Sequence, residues 1–388
     1  MGRLTDTSHA ALELLLTRLE GAPCAIELAE PLAHDRGPSE LKRIGYGVPI
    51  LVRYRVTEPG REREARAVFR TQTPNWFGHD RRSDRACLSL LAADTYDAQP
   101  KHIAVKDVGA IRGDELLSLR DAGEFYLVTT YVEGRLYAED LRRVAETGHA
   151  SATDLARARA LARHLTELHT PIDGGRDVYV RAVRDLVGSG EGIFGIVDSY
   201  PADFEREDLL RAIEHRAIDW RARLVAQHAA TLCRTHGDFH PYNVLFREGV
   251  DFTLLDASRG GAGDAADDVA AMLINYLFQG MRTPAAWAAG FGALFRTFVA
   301  EYGAEGVFGR LAPFFAWRAL VLASPAWYPD VAPEIRHTLL ECALIWLDGA
   351  PFDPSSIDAS MLASGRPLPG LAPRSRPQSE VVATSTPS

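Results

Sequence analysis

The spacing of hydrophobic residues changes its period near residue 134. Before that point, residues 6–20 have a helical spacing, and apolar and polar residues then alternate from about residue 25 to residue 72. The further elements predicted in this part are strands at 50–56 and 65–71, a helix at 81–93, and strands at 102–110 and 124–132. This order predicts a small antiparallel sheet that carries one helix.

After Gly134 a helical spacing predominates, and one short β-rich piece at 243–256 interrupts it. The helices predicted there are 152–169, 205–228, 265–280, 285–303, 306–322 and 332–347. The last residues, 361–388, are rich in Pro and Ser and contain no aromatic residue. We expect them to be disordered, because they cannot bury enough apolar surface to offset the entropy lost on folding.

These patterns predict the α+β fold class with two lobes. An N-terminal helix occupies residues 1–24, a mixed N-lobe residues 25–132, and a larger, mainly helical C-lobe residues 133–360. Because ligands usually bind in clefts between lobes, the plan is typical of an enzyme.

Composition and charge exclude several classes of protein. The 388-residue chain is 46% hydrophobic and 24% charged, which suffices for a sizeable core. Its net charge of −9 argues against a general nucleic-acid binder and mildly favours cationic ligands. The first residues lack the apolar segment of a signal peptide, no apolar run is long enough to cross a membrane, and the four cysteines form no C-x-x-C pair. We therefore expect a cytoplasmic protein without a membrane or nucleic-acid partner.

The segment that indicates chemistry reads HGDFHPYN at 236–243 and is followed by FTLLD at 252–256. Asp238 and Asn243 have the D-x-x-x-x-N spacing of a kinase catalytic loop, and Asp256 ends a hydrophobic strand. In phosphoryl transfer, one carboxylate orients the attacking hydroxyl and takes its proton. An Asn oxygen and a second carboxylate hold Mg²⁺ against the triphosphate. The sequence therefore predicts a kinase.

The motif resembles the catalytic loop of the aminoglycoside phosphotransferase and choline kinase group, in which Gly replaces the Arg of eukaryotic protein kinases. The resemblance implies a protein-kinase-like fold with ATP or GTP as co-substrate and Mg²⁺ as cofactor. It makes Asp238 the catalytic or hydroxyl-orienting residue and Asn243 and Asp256 the metal ligands. It gives His236 and His240 the role of shaping the loop.

A second string, GDAADDVA at 263–270, also resembles this family. The resemblance implies that Asp268 anchors the catalytic loop from below. Helix capping explains the same residues in another way, with Asp264 as N-cap and Asp267 supporting the first turn. The residues after Asp256, ASRGG at 257–261, depart from the aromatic residue and Glu found in many relatives.

Two positions compete for the cation that kinases place on the α and β phosphates. Arg70 lies at the end of the strand before the helix, where kinases normally carry this cation. Lys106 ends the sequence IAVK at 103–106, which comes after that helix. We favour Arg70, since an arginine recurs here in bacterial relatives and its planar fork supplies the same charge. Asp84 is the candidate helix partner, with a solvated helix start as the alternative.

The nucleotide-covering loop and the adenine site are less distinct. The glycine pair Gly45 and Gly47 lets backbone amides approach phosphate, although a hairpin turn without a ligand explains it as well. HDRGPS at 34–39 is a second candidate. The resemblance makes Thr130, Tyr131 and Val132 the adenine-binding backbone, whereas the segment taken alone reads as a buried strand.

Three functions follow from these patterns. The first is a kinase that phosphorylates a hydroxyl of an antibiotic or other natural product and so confers antibiotic resistance. The second is a metabolic kinase for a small alcohol such as a sugar, choline or homoserine. The third is a nucleotide-binding pseudokinase, which the intact Asp238, Asn243 and Asp256 disfavour. Acidic residues and Trp220, Trp317 and Trp327 in the C-lobe could face a cationic acceptor, but a solvated helix face and core packing are the commoner roles of such residues.

Overall fold

In this computed structural model, the structure describes residues 6–32, 48–257, 259–303, 305–350 and 352–367. The chain separates into two compact units, Met1–Thr129 and Thr130–Ser388. Within the described ranges, none of the helices combines the length and the apolar character that a bilayer span requires.

The first half of the first unit is a three-stranded antiparallel sheet with one helix. Its strands β1 (Cys24–Pro31), β2 (Ile50–Glu58) and β3 (Arg61–Phe69) are adjacent in that order. Helix α1 (Asp6–Glu20) precedes them. The predicted helix at 6–20 and the two predicted strands are therefore confirmed.

The core of this unit shows why β2 was recognisable. Val52, Tyr54 and Val56 point to one face and are buried against Leu12 and Leu16 of α1. The arginines between them point to the other face, as the two-residue period of a strand requires. Helix α1 thus belongs to the same core as the sheet.

The second half of this unit departs from the prediction. Helix α2 (Arg82–Thr95) confirms the predicted helix at 81–93. The predicted strands at 102–110 and 124–132 are wrong, since a short hairpin of β4 (Gly109–Arg112) and β5 (Glu115–Ser118) forms instead. Gly113, with φ +56°, makes the turn of that hairpin.

The apolar run at 124–132 lies outside any helix or strand. Tyr126, Leu127 and Val128 are 91%, 87% and 82% exposed. Strand propensity measures how well residues fit a paired, half-buried surface, and no described strand pairs with this run. The pattern alone therefore gave the wrong element.

Helices make up most of the second unit. Its helices are α3 (Tyr137–Thr147), α4 (Ala152–Leu168), α5 (Gly175–Gly188), α6 (Ile193–Asp198), α7 (Glu207–Gln227), α8 (Ala265–Arg282), α9 (Gly292–Tyr302), α10 (Glu305–Phe308), α11 (Leu311–Ala323), α12 (Pro333–Leu347) and α13 (Pro354–Ser364). Its strands are β6 (Arg135–Leu136), β7 (Cys233–Arg234), β8 (Val244–Phe246), β9 (Phe252–Leu254) and β10 (Ala262–Gly263). Five of the six predicted helices are confirmed, although a turn of wider helix at Trp287–Phe291 precedes α9. The predicted helix at 306–322 is instead two helices, α10 and α11, separated by a turn at residues 309 and 310. Helices α3, α5, α6 and α13 were not predicted.

Helix α13 corrects the predicted start of the disordered tail at residue 361. Asp353 caps this helix by accepting hydrogen bonds from the backbone N–H groups of Ser355 and Ser356. Ile357 and Met361 are buried in the core, so the helix continues to Ser364. Residues 368–388 lie outside the described part of the chain.

Helices α8 and α11 lie in the middle of the core of the second unit. Both are apolar around most of their circumference, which is typical of a buried helix. Each nevertheless carries a buried charge, Asp268 on α8 and Arg318 on α11. Buried charges need partners, and both find them in the loop after β7.

Candidate active site

Two short strand pairings bring the sequence motif and the second aspartate together. Strand β8 pairs with β9, with Val244 opposite Leu254, so the residues before β8 lie beside those after β9. Strand β7 pairs with β10, with Cys233 opposite Gly263, which closes the other end. The loop at 235–243 therefore lies beside residues 255–257 and 259–261.

Asn243 links the three residues predicted to carry the chemistry. Its Nδ2 donates hydrogen bonds to the backbone oxygen of Asp238 and to Oδ2 of the same residue, both at 3.0 Å. The same nitrogen lies 3.4 Å from the backbone oxygen of Asp256. The structure thus places Asp238, Asn243 and Asp256 in one cluster, although they come from two segments of the chain.

Two oxygen-bearing side chains of this cluster are of the chemical type that magnesium binds. Because Asn243 uses its nitrogen for the contacts above, its Oδ1 has no donor within the described part of the chain. The Asp256 carboxylate is exposed and has no hydrogen-bond partner there either. Mg²⁺ typically takes one or two protein oxygens and completes its shell with water and phosphate. No larger group of His, Cys, Asp and Glu with metal-binding potential occurs among the described residues.

The backbone of Asp256 is unusual as well. Its φ is +24°, and Lys101 is the one other non-glycine residue with positive φ in the described ranges. Such conformations cost about 1–3 kcal/mol and persist where the surrounding structure imposes them. Asp256, two residues after β9, is therefore a strained position of the backbone.

The Asp238 carboxylate is held by two cationic or polar partners besides Asn243. Nη1 of Arg318 donates to Oδ1 at 2.5 Å, and Nε2 of His240 lies 3.3 Å from Oδ2. Nδ1 of His240 accepts the N–H of Tyr242 at 3.2 Å, so a neutral His240 carries its proton on Nε2. Burial alone would raise the pKa of Asp238, but His240 and Arg318 hold it well below its usual range. This carboxylate is therefore ionised and suited to accept a hydrogen bond from a hydroxyl.

Asp268 lies beneath the loop. Its Oδ2 accepts the backbone N–H of His236 at 2.7 Å and its Oδ1 that of Gly237 at 2.8 Å. Nε2 of His169 lies 3.2 Å from Oδ2, and the Asp268 side chain is completely buried. His236 in turn is bonded through Nε2 to the backbone oxygen of Leu255 at 2.8 Å. These contacts tie the loop to α8 and to the segment that ends in Asp256.

The neighbouring aspartates of α8 have separate partners. Asp264 is the N-cap and accepts the N–H of Ala266 at 3.0 Å, while Nε of Arg310 donates to it at 2.8 Å. Asp267 pairs with Arg259. Capping by Asp264 and contact of Asp268 with the loop thus occur together.

Two arginines that the sequence did not indicate meet behind Asp238. Arg259 and Arg318 each place their guanidinium carbon 3.8 Å from the centroid of the Trp317 ring. Nε of Arg259 donates to the backbone oxygen of Gly237 at 3.0 Å, and Nη2 of Arg318 approaches the same oxygen at 3.4 Å. Both arginines also contact Asp267. A signal existed for Arg318, because it is the one charged residue in the apolar sequence of α11.

The candidate aromatic residues separate into buried and exposed ones. Trp220 is buried and donates its indole N–H to the backbone oxygen of Leu347 at 2.8 Å. Trp317 is buried between the two arginines, whereas Trp327 is 65% exposed. Trp327 is therefore the one of these three that a ligand can stack on.

The competing cations of the first unit differ in their surroundings. Arg70 follows the end of β3 with an exposed side chain. Nζ of Lys106 donates to Glu20 at 2.8 Å and so is engaged with the end of α1. Asp84 accepts the backbone N–H of Arg81 at 2.8 Å, a contact typical of a helix start. The phosphate contact of Arg70 and its pairing with Asp84 stay predictions.

The predicted adenine segment is at the start of the second unit. Thr130 and Tyr131 are exposed and Val132 is half-buried, without strand pairing. Gly45 and Gly47, predicted to cover the phosphates, lie outside the described residues. The roles of these five residues therefore stay predictions.

Comparison with known proteins identifies relatives of the chain. A family model described as "APH: Phosphotransferase enzyme family" matches residues 51–306, which include all of the cluster. No protein among the curated sequences matches significantly.

Several solved structures resemble the chain at low identity. An aminoglycoside phosphotransferase, APH(3'')-Id from Streptomyces rimosus, is 21% identical, with 48% of this chain and 67% of that chain covered and a TM-score of 0.32. A glucosamine kinase is 23% identical, with 55% and 57% covered and a TM-score of 0.37. APH(2'')-IIa, in complex with gentamicin, is 12% identical, with 91% and 98% covered and a TM-score of 0.29. The chain thus spans little more than half of the glucosamine kinase.

Proposed function

Because this chain belongs to the phosphotransferase enzyme family, we propose that it transfers the γ-phosphate of ATP or GTP to a hydroxyl of an antibiotic or other natural product. The observation that supports this proposal is the cluster of Asp238, Asn243 and Asp256, joined through the Asn243 amide. It leaves one amide oxygen and one exposed carboxylate for a cation beside an ionised carboxylate for the acceptor.

In this proposal the three side chains divide the work. Asp238 accepts the hydrogen bond of the acceptor hydroxyl and aims its oxygen at the γ-phosphorus. Oδ1 of Asn243 and the Asp256 carboxylate hold Mg²⁺, which when bound neutralises phosphate charge. A carboxylate with a lowered pKa is a weak base, so Asp238 contributes mainly by orienting the hydroxyl.

The supporting contacts explain how the cluster is held ready. Asp268 fixes the two backbone N–H groups directly before Asp238, and His236 joins the loop to the carbonyl of Leu255, next to Asp256. Preorganised groups lose little free energy in reorienting during the reaction. His236, His240 and Asp268 therefore act by positioning Asp238 and Asp256.

The identity of the acceptor is tested by a screen. Purified protein is incubated with MgATP or MgGTP and with aminoglycosides, macrolides, amino sugars, choline or homoserine, and nucleoside diphosphate release is measured. Phosphorylation of an antibiotic supports the proposal, and turnover confined to a metabolic alcohol replaces it with the metabolic-kinase function. Nucleotide binding without turnover on any acceptor would identify a pseudokinase.

The role of the cluster is tested by Asp256→Asn. The substitution removes the charge of a cation ligand, so Mg²⁺-dependent turnover should fall by about 100-fold or more, while the far-ultraviolet circular dichroism stays that of the wild type. Asp251→Asn, an exposed carboxylate in the same hairpin, is the matched control and should leave turnover unchanged. Full activity of Asp256→Asn would contradict the assignment.

A further inference from the structure

Arg318 is a buried, charged hydrogen-bond partner of the proposed catalytic carboxylate, Asp238. It lies on α11, is 7% exposed, and donates through Nη1 to Oδ1 of Asp238 at 2.5 Å. Its Nε is buried without a hydrogen-bond partner in the described part of the chain. Buried donors usually have a hydrogen-bond partner. The contacts of Nη1 and Nη2 therefore set the orientation of the guanidinium, and Nε is left without a partner.

The contacts of Asp238 use most of its hydrogen-bonding capacity. An ionised carboxylate offers about four acceptor positions, two on each oxygen. Oδ2 receives Nδ2 of Asn243 at 3.0 Å and lies 3.3 Å from Nε2 of His240. Oδ1 receives only Arg318 among the described residues. The remaining position is therefore on Oδ1, beside the Arg318 guanidinium.

We propose that Arg318 is a positioning residue that fixes the Asp238 carboxylate so that the free position of Oδ1 receives the acceptor hydroxyl. The inference rests on the proposed phosphotransferase function and adds a residue to it. Asn243 and His240 hold one oxygen and Arg318 the other, so the carboxylate cannot rotate without breaking a charged hydrogen bond.

The chemical step follows from this arrangement. The acceptor oxygen forms a bond to the γ-phosphorus while the bond between that phosphorus and the bridging oxygen breaks. The nucleoside diphosphate leaves with the electron pair of the broken bond. The hydroxyl proton passes along the hydrogen bond to Oδ1 of Asp238 and then to solvent.

Arg259 provides a matched control within the same site. Like Arg318, it contacts the ring of Trp317, the backbone oxygen of Gly237 and the carboxylate of Asp267. Unlike Arg318, it has no hydrogen bond to the Asp238 carboxylate among the described residues. A merely structural role predicts similar losses of turnover in both variants, whereas the proposal predicts a much larger loss for Arg318 than for Arg259.

The experiment compares Arg318→Met, Arg318→Lys and Arg259→Met by MgATP hydrolysis with water as the acceptor. Arg318→Met should lower kcat by about 100-fold, because misplacing a reacting group by about 1 Å costs that much, while KM for MgATP changes by less than about twofold. Arg318→Lys should recover part of the loss, since a lysine keeps the charge but not the fork. Arg259→Met should lower kcat much less than Arg318→Met does, whatever its melting temperature.

Several outcomes would overturn the inference. Equal loss of kcat in Arg318→Met and Arg259→Met would mean that Arg318 has only a structural role. A wild-type kcat in Arg318→Met would mean that Arg318 does not position Asp238. If Arg318→Met does not fold, Arg318→Lys decides, because it should fold and still show reduced kcat with unchanged KM. The proposal is also contradicted if Arg318→Lys has the kcat of the wild type although its crystal structure shows a rotated Asp238 carboxylate. Absence of any turnover in the wild type would instead remove the proposed function itself.

Discussion

The proposed catalytic loop of the second unit and the candidate nucleotide-binding positions differ in what holds each side chain. Asp238 and Asp268 each have several polar partners, and Asp268 is fully buried. Arg70 is exposed, and the run at 124–132 has no strand partner among the described residues. The side chains that we propose to carry the chemistry are thus more constrained than those that we propose to bind nucleotide.

This difference also separates two ways in which charge is used. In the second unit, buried carboxylates organise backbone N–H groups and arginines around one loop. In the first unit, Glu20 joins Tyr54, Arg63 and Lys106 and so fastens α1 to the rest of that unit. In our proposal the first network positions a reactive group, whereas the second stabilises the fold of the first unit.

Asp268→Ala should give the largest effect and tests the constrained side of the comparison. It leaves two backbone N–H groups and His169 without their buried acceptor. We expect the free energy of unfolding to fall by about 3–5 kcal/mol, as when one partner of a buried charged pair is removed. Urea unfolding measures the change. Asp203 is an exposed carboxylate of the same unit, and Asp203→Ala should lower the free energy of unfolding by less than about 0.5 kcal/mol. Similar losses in the two variants would contradict the view that the loop around Asp268 is unusually constrained.

Glu20→Gln tests the network of the first unit through its pH dependence. Hydrogen bonds from Lys106, Tyr54 and Arg63 lower the pKa of Glu20 to about 2 from an ordinary value of 4.5. A lowered pKa in the folded state adds stability above the unfolded value, and this is lost as pH falls through the folded value. The wild type should therefore be more stable than Glu20→Gln at pH 7, by about 1.5–3 kcal/mol, and the advantage should vanish between about pH 4.5 and pH 2.

Thermal unfolding followed across that pH range measures the difference between the two proteins. Other carboxylates titrate in both, so their contribution cancels in the comparison. A stability difference that does not depend on pH would mean that Glu20 acts by packing and not by charge.

The site was predictable where a short motif and a local fold agree. HGDFHPYN and FTLLD carry the residues themselves, and the hydrophobic residues around them form the β8–β9 hairpin that brings Asn243 to Asp256. Contacts that join the loop to distant helices were not predictable in this way. Arg318 lies 80 residues after Asp238, and its contact depends on how α11 packs.

The same reasoning explains the errors in the fold. Strands β2 and β3 were found because each buries one face and pairs along its length. The runs at 102–110 and 124–132 have the composition of strands. In the first, only Gly109 and Ala110 join a strand, which pairs across the turn at Gly113. The second pairs with none of the described strands. Composition indicates what could pair, and only the tertiary neighbours determine what does.

Gly237→Ala tests how strictly the loop backbone is constrained. Gly237 has φ +82°, and an added Cβ would lie 3.1 Å from the backbone oxygen of Gly260. A left-handed conformation costs a non-glycine residue about 1–2 kcal/mol, so stability should fall by that amount and turnover with it. Gly249→Ala has a similar φ of +63° with open space around its Cβ, and it should lower stability but not turnover. Unchanged turnover in Gly237→Ala would show that the loop tolerates displacement.

Arg70→Ala against Lys106→Ala should give the smallest effect and tests the less constrained side. Arg70 is exposed at the end of β3, whereas Lys106 is already engaged with Glu20. If Arg70 contacts phosphate, its loss should weaken nucleotide binding by up to about 1 kcal/mol, or roughly fivefold in Kd. Lys106→Ala should instead lower the melting temperature with little change in Kd. Arg66→Ala, an exposed arginine earlier on β3, should change neither. Isothermal titration with MgATP ranks the three variants, and a larger loss in Lys106→Ala would mean that the segment after α2, and not the end of β3, supplies the phosphate-binding cation.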